Sequence, residues 1–450
     1  MNTPEAHVST PMAWWQTEST RIKTAASASE DGSRVAFIAL VAFTFILLLS
    51  PQAWFPVLKT VRIAFLAATL AIAVHVVERT LHRKPVTPFS TEIGIVLALV
   101  GWALLTIPLS YWPGGSVRLL TDNYLKAVAF FWLLGTMITT TKQLRILAWS
   151  LLLCSIPLAA TGLKNYLVGD VLSTRVPGLV RIYGYVGGSG LTANPNDLAL
   201  MLNLILPITG ALVLMTRGAR RALAAFALLL SIAAIVVTFS RAGFLTLVAS
   251  FLMFLAVLAR QKSSGVAIGL LLLALCVPPL LPSGYIDRLS TIADIDADRT
   301  GSAKGRWRDT GYAIEVVAHN PIIGVGIGQD LIAMNAERGR DTWRRVHNAY
   351  LQYAVDLGIP GALLFIWLHL TCYKSARAVE KRAAKDPALR DLRQLAAGVQ
   401  IGLVAFAVAA MFHPIAYQFY FFSIGGLAVA LKNTCRAEIA KAQLTPGATS

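Results

Sequence analysis

The chain has 450 residues, 56% of them hydrophobic and 14% charged, and several apolar runs reach about eighteen residues or more with few or no charges. That balance excludes a globular enzyme with a single anchor and predicts an all-α, polytopic membrane protein. A net charge of +17 would suggest nucleic acid in a soluble protein; here the location of the loops decides its meaning, and no nucleic-acid partner is expected.

Residues 1–34 are polar and longer than the basic start of a signal peptide, so they read as a cytoplasmic tail and the first apolar run as a retained anchor. Twelve apolar segments follow: 35–50, 55–77, 90–110, 124–140, 144–163, 197–216, 222–240, 242–259, 265–282, 348–372, 395–412 and 416–432. Lys59 and Arg62 interrupt the start of the second. The division is then spans one to nine over 35–282, with a loop at 164–196, a large loop at 283–347, spans ten to twelve over 348–432, and a tail at 433–450. With both termini in the cytoplasm, Arg79, Arg83, Lys84, the "RGARR" turn (217–221), Arg260, Lys262 and the basic stretch 373–394 all fall inside, as the positive-inside rule requires. Span centres look almost free of charge.

The two long loops then lie outside, and their basic residues are mostly arginine: Arg175, Arg181, Arg288, Arg299, Arg306, Arg308, Arg338, Arg340, Arg344 and Arg345. Arg241 joins them at the turn between the seventh and eighth spans. A solvated face would use lysine as readily. The planar guanidinium fork binds phosphate bidentately, so the bias points to a phosphate ligand, with anionic lipid head groups as the alternative.

"TANPNDLAL" (192–200) places Asn194 before Pro195 in the order of a helix cap and first helical residue, with Asn196 and Asp197 facing an outer cavity. "DIDAD" (294–298) spaces Asp294, Asp296 and Asp298 like part of a calcium loop, without its glycine or terminal glutamate, and reads as a solvated turn. "KGRWRDTGYAIEVVAHNP" reads as a helix opening after Gly305, with Trp307, Ile314 and Val317 on an apolar strip, closed by His319, Asn320 and Pro321. "GVGIGQ" after it lacks the ending of a nucleotide phosphate loop and reads as a tight turn, and the whole loop is expected to fold back on the bundle.

Cys154, Cys276, Cys372 and Cys435 all lie in or beside apolar segments, which leaves neither a disulfide framework nor a zinc motif. No metal and no cofactor is expected. Of seven histidines, His319, His347 and His413 fall outside. The first and last of these each precede a turn and have a structural role to hand. In "RRVHNAYLQY" (344–353), His347 stands beside Arg344 and Arg345 where the loop re-enters the membrane, and an imidazole there titrates near neutral pH and accepts a proton.

Three pieces in order, "FSRAGFL" (239–245), "GRWRDTGYAIEVVAHNPIIGVGIGQ" (305–329) and "VHNAYLQYAVDLGIPGALL" (346–364), resemble the O-antigen ligase and polymerase superfamily of bacterial inner membranes. The resemblance covers residues 190 to 370; the first spans match only in hydropathy. It implies metal-independent, inverting transfer of a glycan from undecaprenyl diphosphate to an acceptor on the periplasmic face. It also implies catalytic roles for His347 as base, Arg241 of the "SRAG" turn and Arg306 before the loop tryptophan. Arg175 and Arg181 fall in no matching motif. Their assignment to the diphosphate-linked donor rests on side and charge; Arg308, Arg344, Arg345 and Asn348, which follows His347, are assigned to the donor with them.

On this reading arginines stabilise the departing diphosphate and His347 activates the acceptor hydroxyl. The expected partners are undecaprenyl-diphosphate-linked O-antigen, lipid A–core as acceptor, and membrane lipids. A ligase is favoured because the chain has little room for an added periplasmic domain. A polymerase, a protein oligosaccharyltransferase and, from another class, a twelve-span transporter stay open.

Overall fold

In hydrocarbon every backbone N–H and C=O must be satisfied within its own segment, so runs as apolar as these can only coil into helices. The computed structural model describes residues 34–171, 181–185, 192, 194–275, 279, 281–294, 296, 301–339 and 343–444. Its principal helices are α1 (Arg34–Leu49), α2 (Ile63–Leu81), α3 (Thr91–Thr106), α4 (Leu125–Met137), α5 (Thr141–Val168), α6 (Pro195–Met215), α7 (Gly218–Val237), α8 (Arg241–Arg260) and α9 (Ser264–Leu275). They continue with α10 (Tyr285–Ser290), α11 (Ser302–His319), α12 (Asp330–Arg338), α13 (Ala349–Ala383), α14 (Arg390–Ala410) and α15 (Phe419–Leu444). The protein is an all-α, multi-pass membrane protein.

Among the described residues, eight helices are long and apolar enough to cross a membrane by length and composition. A helix coincides with each of the twelve apolar segments, although some fall short of that measure for visible reasons. Helix α1 is short, α9 is described only to Leu275, and the second half of α15, "LKNTCRAEIAKAQL", is polar. The segment drawn at 55–77 starts late: Arg62 takes a left-handed φ of 53° and α2 begins at Ile63. Lys59 and Arg62 therefore lie outside this helix.

Helix α6 is the hub, packed against α5, α7, α8 and α14. Asn194 caps it as the sequence predicts, its side chain accepting from Asp197 N at 2.9 Å. Helices α4 and α15 approach through glycines: a Cβ on Gly426 would stand 2.9 Å from the carbonyl oxygen of Phe131. Small residues serve such contacts in membranes, where dispersion replaces the hydrophobic drive.

The segment between α9 and α13 has a core of its own, formed by Ala313, Val316, Val325, Ala333, Met334, Val346 and Val355. Helix α11 starts at Ser302, one turn before the sequence suggests, and buries Gly305, Asp309, Ala313 and Val316. Trp307 and Ile314 of the apolar strip are exposed (67% and 56%). The small residues and Asp309 face inward because Asp309 pairs with Arg338 of α12 at 2.9 Å, both side chains nearly sealed from solvent.

The "DLGIPG" stretch breaks α13 at Gly358 (φ 70°, ψ −178°). The glycine-rich loop fills the break. Val325 N donates to Val355 O and Gly326 N to Asp356 O, each at 2.9 Å, and Trp102 Nε1 of α3 takes Leu357 O at 2.8 Å. Ile359 N returns a bond to Pro321 O at 2.8 Å. A Cβ on Gly358 would lie 2.1 Å from Ile322 O, and one on Gly326, itself at φ 101°, 2.0 Å from Ser110 Cβ. "GVGIGQ" is a turn, as read; Gly324 faces the broken helix, where a Cβ would stand 2.5 Å from Asp356 O, while Gly326 and Gly328 face Ser110 and Leu119. The span is also less free of charge than its hydropathy suggests, because Asp356 is fully buried within α13.

Candidate active site

Arg241 opens α8. Ser240 caps that helix, accepting from Gly243 N at 3.1 Å, and Phe239 before it bends the chain with a left-handed φ of 51°. The Phe239 ring packs on Tyr285 of α10 at 5.5 Å, while Arg241 Nη1 donates to Thr291 Oγ1 at 2.9 Å. The "FSRAGF" turn thus fixes α10 over the head of α8, and with it Arg288.

Arg181 comes from the other long loop. Its guanidinium donates to Asn196 Oδ1 at 2.9 Å, in the first turn of α6. Burial, then the charges of Arg288, Arg306 and Arg241, push Arg181 down to about 10. Three guanidinium groups from separate parts of the chain therefore act on a fourth, that of Arg181. Their repulsion disfavours the charged form of Arg181, and an anion held against them offsets that cost. Arg181 Nε meets no acceptor among the described residues, leaving a donor in hand.

His347 lies half-buried beside this cluster. Its Nδ1 lies 2.9 Å from Arg345 O. A carbonyl oxygen only accepts, so Nδ1 carries the proton and Nε2 of the neutral ring keeps its lone pair. Burial and then the Arg306 charge hold the imidazole below its usual 6.5, opposed by the Arg345 carbonyl and by Asp309. The ring is consequently neutral near pH 7 and free to accept a proton at Nε2.

His413, assigned a turn on sequence grounds, forms part of the same neighbourhood. Its Nδ1 donates to Ala409 O at 2.9 Å, and burial lowers it to about 4, with smaller contributions from Arg306 and His347.

The remaining candidates separate. Arg344 lies against Gly305, where a Cβ would stand 2.9 Å from its Nη1; its side chain is 52% exposed and sits 4.0 Å from Asp309. Arg308 is exposed on α11. Arg345 reaches Asp330 Oδ1 at 3.5 Å, and Asn348 caps α13, accepting from Tyr350 N and Leu351 N at 3.0 and 3.1 Å. Both therefore have structural contacts that account for them. Arg175, Arg299 and Asp298 lie outside the described residues. Asp294 accepts the Asp296 amide at 3.0 Å and Lys304 covers Asp296 at 2.7 Å, a solvated turn.

Sequence reasoning noted Arg288 among the outer arginines and did not select it. No motif marks it; the signal was Tyr285, an aromatic able to dock on the "FSRAGF" turn.

A tight group of arginines next to a neutral histidine can bind an anionic group such as a diphosphate and take a proton from a nearby hydroxyl. Comparison with curated proteins finds no match. Residues 226–366, which hold Arg241, Arg288, Arg306 and His347, match the family model described as O-antigen ligase. Over these residues the membrane protein is similar to the O-antigen ligase/polymerase superfamily, which points to a function related to glycosyl transfer.

Proposed function

We propose that the protein is an O-antigen ligase of the bacterial inner membrane. It transfers O-antigen polysaccharide from undecaprenyl diphosphate to lipid A–core at the periplasmic face, with both termini in the cytoplasm. The observation that carries this reading is the convergence of Arg181, Arg241, Arg288 and Arg306 beside a neutral His347 whose Nε2 is unprotonated. The arginines hold the diphosphate and stabilise the charge that builds on it as the sugar–phosphate bond breaks. His347 Nε2 takes the proton of the acceptor hydroxyl, whose oxygen attacks the anomeric carbon from the face opposite the diphosphate, inverting it. The proton remains on the imidazole and the negative charge leaves with the diphosphate. Arg308 and Arg344, exposed at the rim, are placed to meet the glycan or its phosphates; Arg345 and Asn348 are assigned to the scaffold.

The deciding experiment is deletion of the gene followed by electrophoresis of lipopolysaccharide. A ligase predicts lipid A–core with no O-antigen, and full-length polymer accumulating on undecaprenyl diphosphate. Core carrying a single repeat unit would identify a polymerase instead. Intact lipopolysaccharide with unglycosylated periplasmic proteins would identify a protein glycosyltransferase.

A further inference from the structure

Asp330, at the first turn of α12, is fully buried and takes no part in the chemistry above. Its surroundings all donate. Val346 N bonds Oδ2 at 3.2 Å, Arg345 Nη1 approaches Oδ1 at 3.5 Å, and the Gln352 side chain and Leu331 N add further bonds. Gln352 Oε1 is itself occupied by Ala416 N at 3.3 Å, so it is the amide N–H of Gln352 that faces the acid. A group ringed by donors is best satisfied as a carboxylate. Burial leaves the Asp330 carboxyl above its ordinary value, and the Arg345 charge is the first of the contributions that oppose it. A second buried acid, Asp356, accepts the backbone N–H of Asp330 at 2.8 Å and so fixes where the first one sits.

The N–H of Val346 and the C=O of Arg345 belong to the same planar peptide unit. The first of these donates to Asp330, and the second accepts the Nδ1 proton of His347. The order is carboxylate, peptide, imidazole.

We propose that Asp330 is a positioning residue for His347, acting through the peptide that joins Arg345 to Val346. A negative charge on the N–H side of a peptide polarises it and makes its oxygen a stronger acceptor, as neighbouring hydrogen bonds strengthen one another in a chain. The carbonyl then holds His347 in the tautomer with Nε2 open and favours the imidazolium once Nε2 has taken a proton. This is the duty of the aspartate in a Ser-His-Asp triad, with a peptide unit interposed. No proton passes along the chain: Nδ1 keeps its own, and the acceptor's proton stays on Nε2.

The charged and titratable groups around the ring define the test. Arg306 and Asp309 face it from α11, Arg344 from its own segment, and His413 from the turn before α15, while the Arg345 side chain is turned to Asp330. Asp309 is bound to Arg338 and lies beside Arg344, and it stays in place when Asp330 is changed. Loss of the Asp330 charge removes support for the imidazolium, so the His347 titration moves down. Mere loosening of the loop does the opposite, exposing the ring and returning it up toward 6.5.

The inference rests on His347 being the base, and the measurement is independent of turnover. The full-length protein is prepared in nanodiscs with ¹⁵N-labelled histidine, and His347 is assigned by its absence in His347→Gln. Wild type should show the Nδ1–H tautomer, and Asp330→Asn should titrate lower, by roughly half a unit or more, the effect expected of one charge acting through one intervening group. An Nε2–H tautomer in wild type overturns the proposal, whether or not Asp330→Asn folds. A titration in Asp330→Asn that is unchanged or higher also overturns it. If His347→Ala retains full activity while these spectra appear as expected, the base assignment fails and the contact network survives as structure alone.

Discussion

His347→Ala separates catalysis from folding more cleanly than any other substitution in the site. The ring contributes one hydrogen bond to the scaffold, Nδ1 to Arg345 O at 2.9 Å, and a net loss of about 1 kcal/mol is expected from removing it. The junction itself stays anchored, because Val346 N is held by Asp330 and Asn348 still caps α13. The rate should respond on a different scale. Loss of a general base slows transfer by about 10²–10⁴-fold, equal to about 2.7–5.5 kcal/mol of barrier at about 1.36 kcal/mol per tenfold. The assay is transfer between lipid-linked glycan and lipid A–core in proteoliposomes, with thermal unfolding in detergent as the control. The pH profile adds a signature. Burial and Arg306 hold the wild-type imidazole below 6.5, so wild-type kcat/KM should be level around neutrality and fall only on the acid side of that value. The residual activity of the variant should lack this fall. Near wild-type turnover, or an acid limb that persists without the imidazole, would falsify the assignment of His347 as base.

Arg241→Lys and Arg306→Lys should each lose most activity despite keeping the charge, because an ammonium cannot offer the planar fork; if both variants transfer normally, general electrostatic attraction suffices. EDTA should leave turnover intact, since the proposed charge neutralisation comes from guanidinium groups; loss of turnover restored by magnesium or calcium would redirect attention to Asp294, Asp296 and Asp298. His413 should make stability pH-dependent: buried and pushed down to about 4, it stays neutral in the fold while the unfolded chain binds a proton near 6.5. Its contribution is present above about 6.5 and lost as pH falls toward about 4, so His413→Asn should flatten the decline of Tm across that window, and an undiminished decline would contradict it.

Most helices were legible because a lipid-spanning run leaves its mark in composition, and the Asn194–Pro195 cap was legible because capping is local chemistry. The errors fall where tertiary contact overrides a local pattern. Trp307 and Ile314 lie on an apolar strip and are exposed, and the buried face of α11 is set by the pairing of Asp309 with Arg338. The start of α2, where Lys59 and Arg62 visibly interrupt the apolar run, is fixed by the left-handed φ of Arg62, which composition does not show. In the site, Arg241, Arg306 and His347 stood out because they sit in motifs, whereas Arg181 and Arg288 join them only through folding of the two long loops. Asp330 and Asp356 were invisible for the same reason: nothing in a linear pattern shows that the side chain of one acid accepts the backbone N–H of another many residues away.

The interrupted helix α13 has a consequence for protein engineering. Its opened turn leaves the carbonyls of Val355, Asp356 and Leu357 to be satisfied by partners from Val325, Gly326 and Trp102, and each left unmatched in so dry a setting would cost about 1–3 kcal/mol. The segment above the bundle is therefore stitched into the span and cannot swing aside as a hinged flap. Chimeras meant to exchange specificity between related transferases should cut so that residues 321–330 travel together with 349–361 and with the partner at Trp102, because a graft that takes the loop alone leaves half the seam behind.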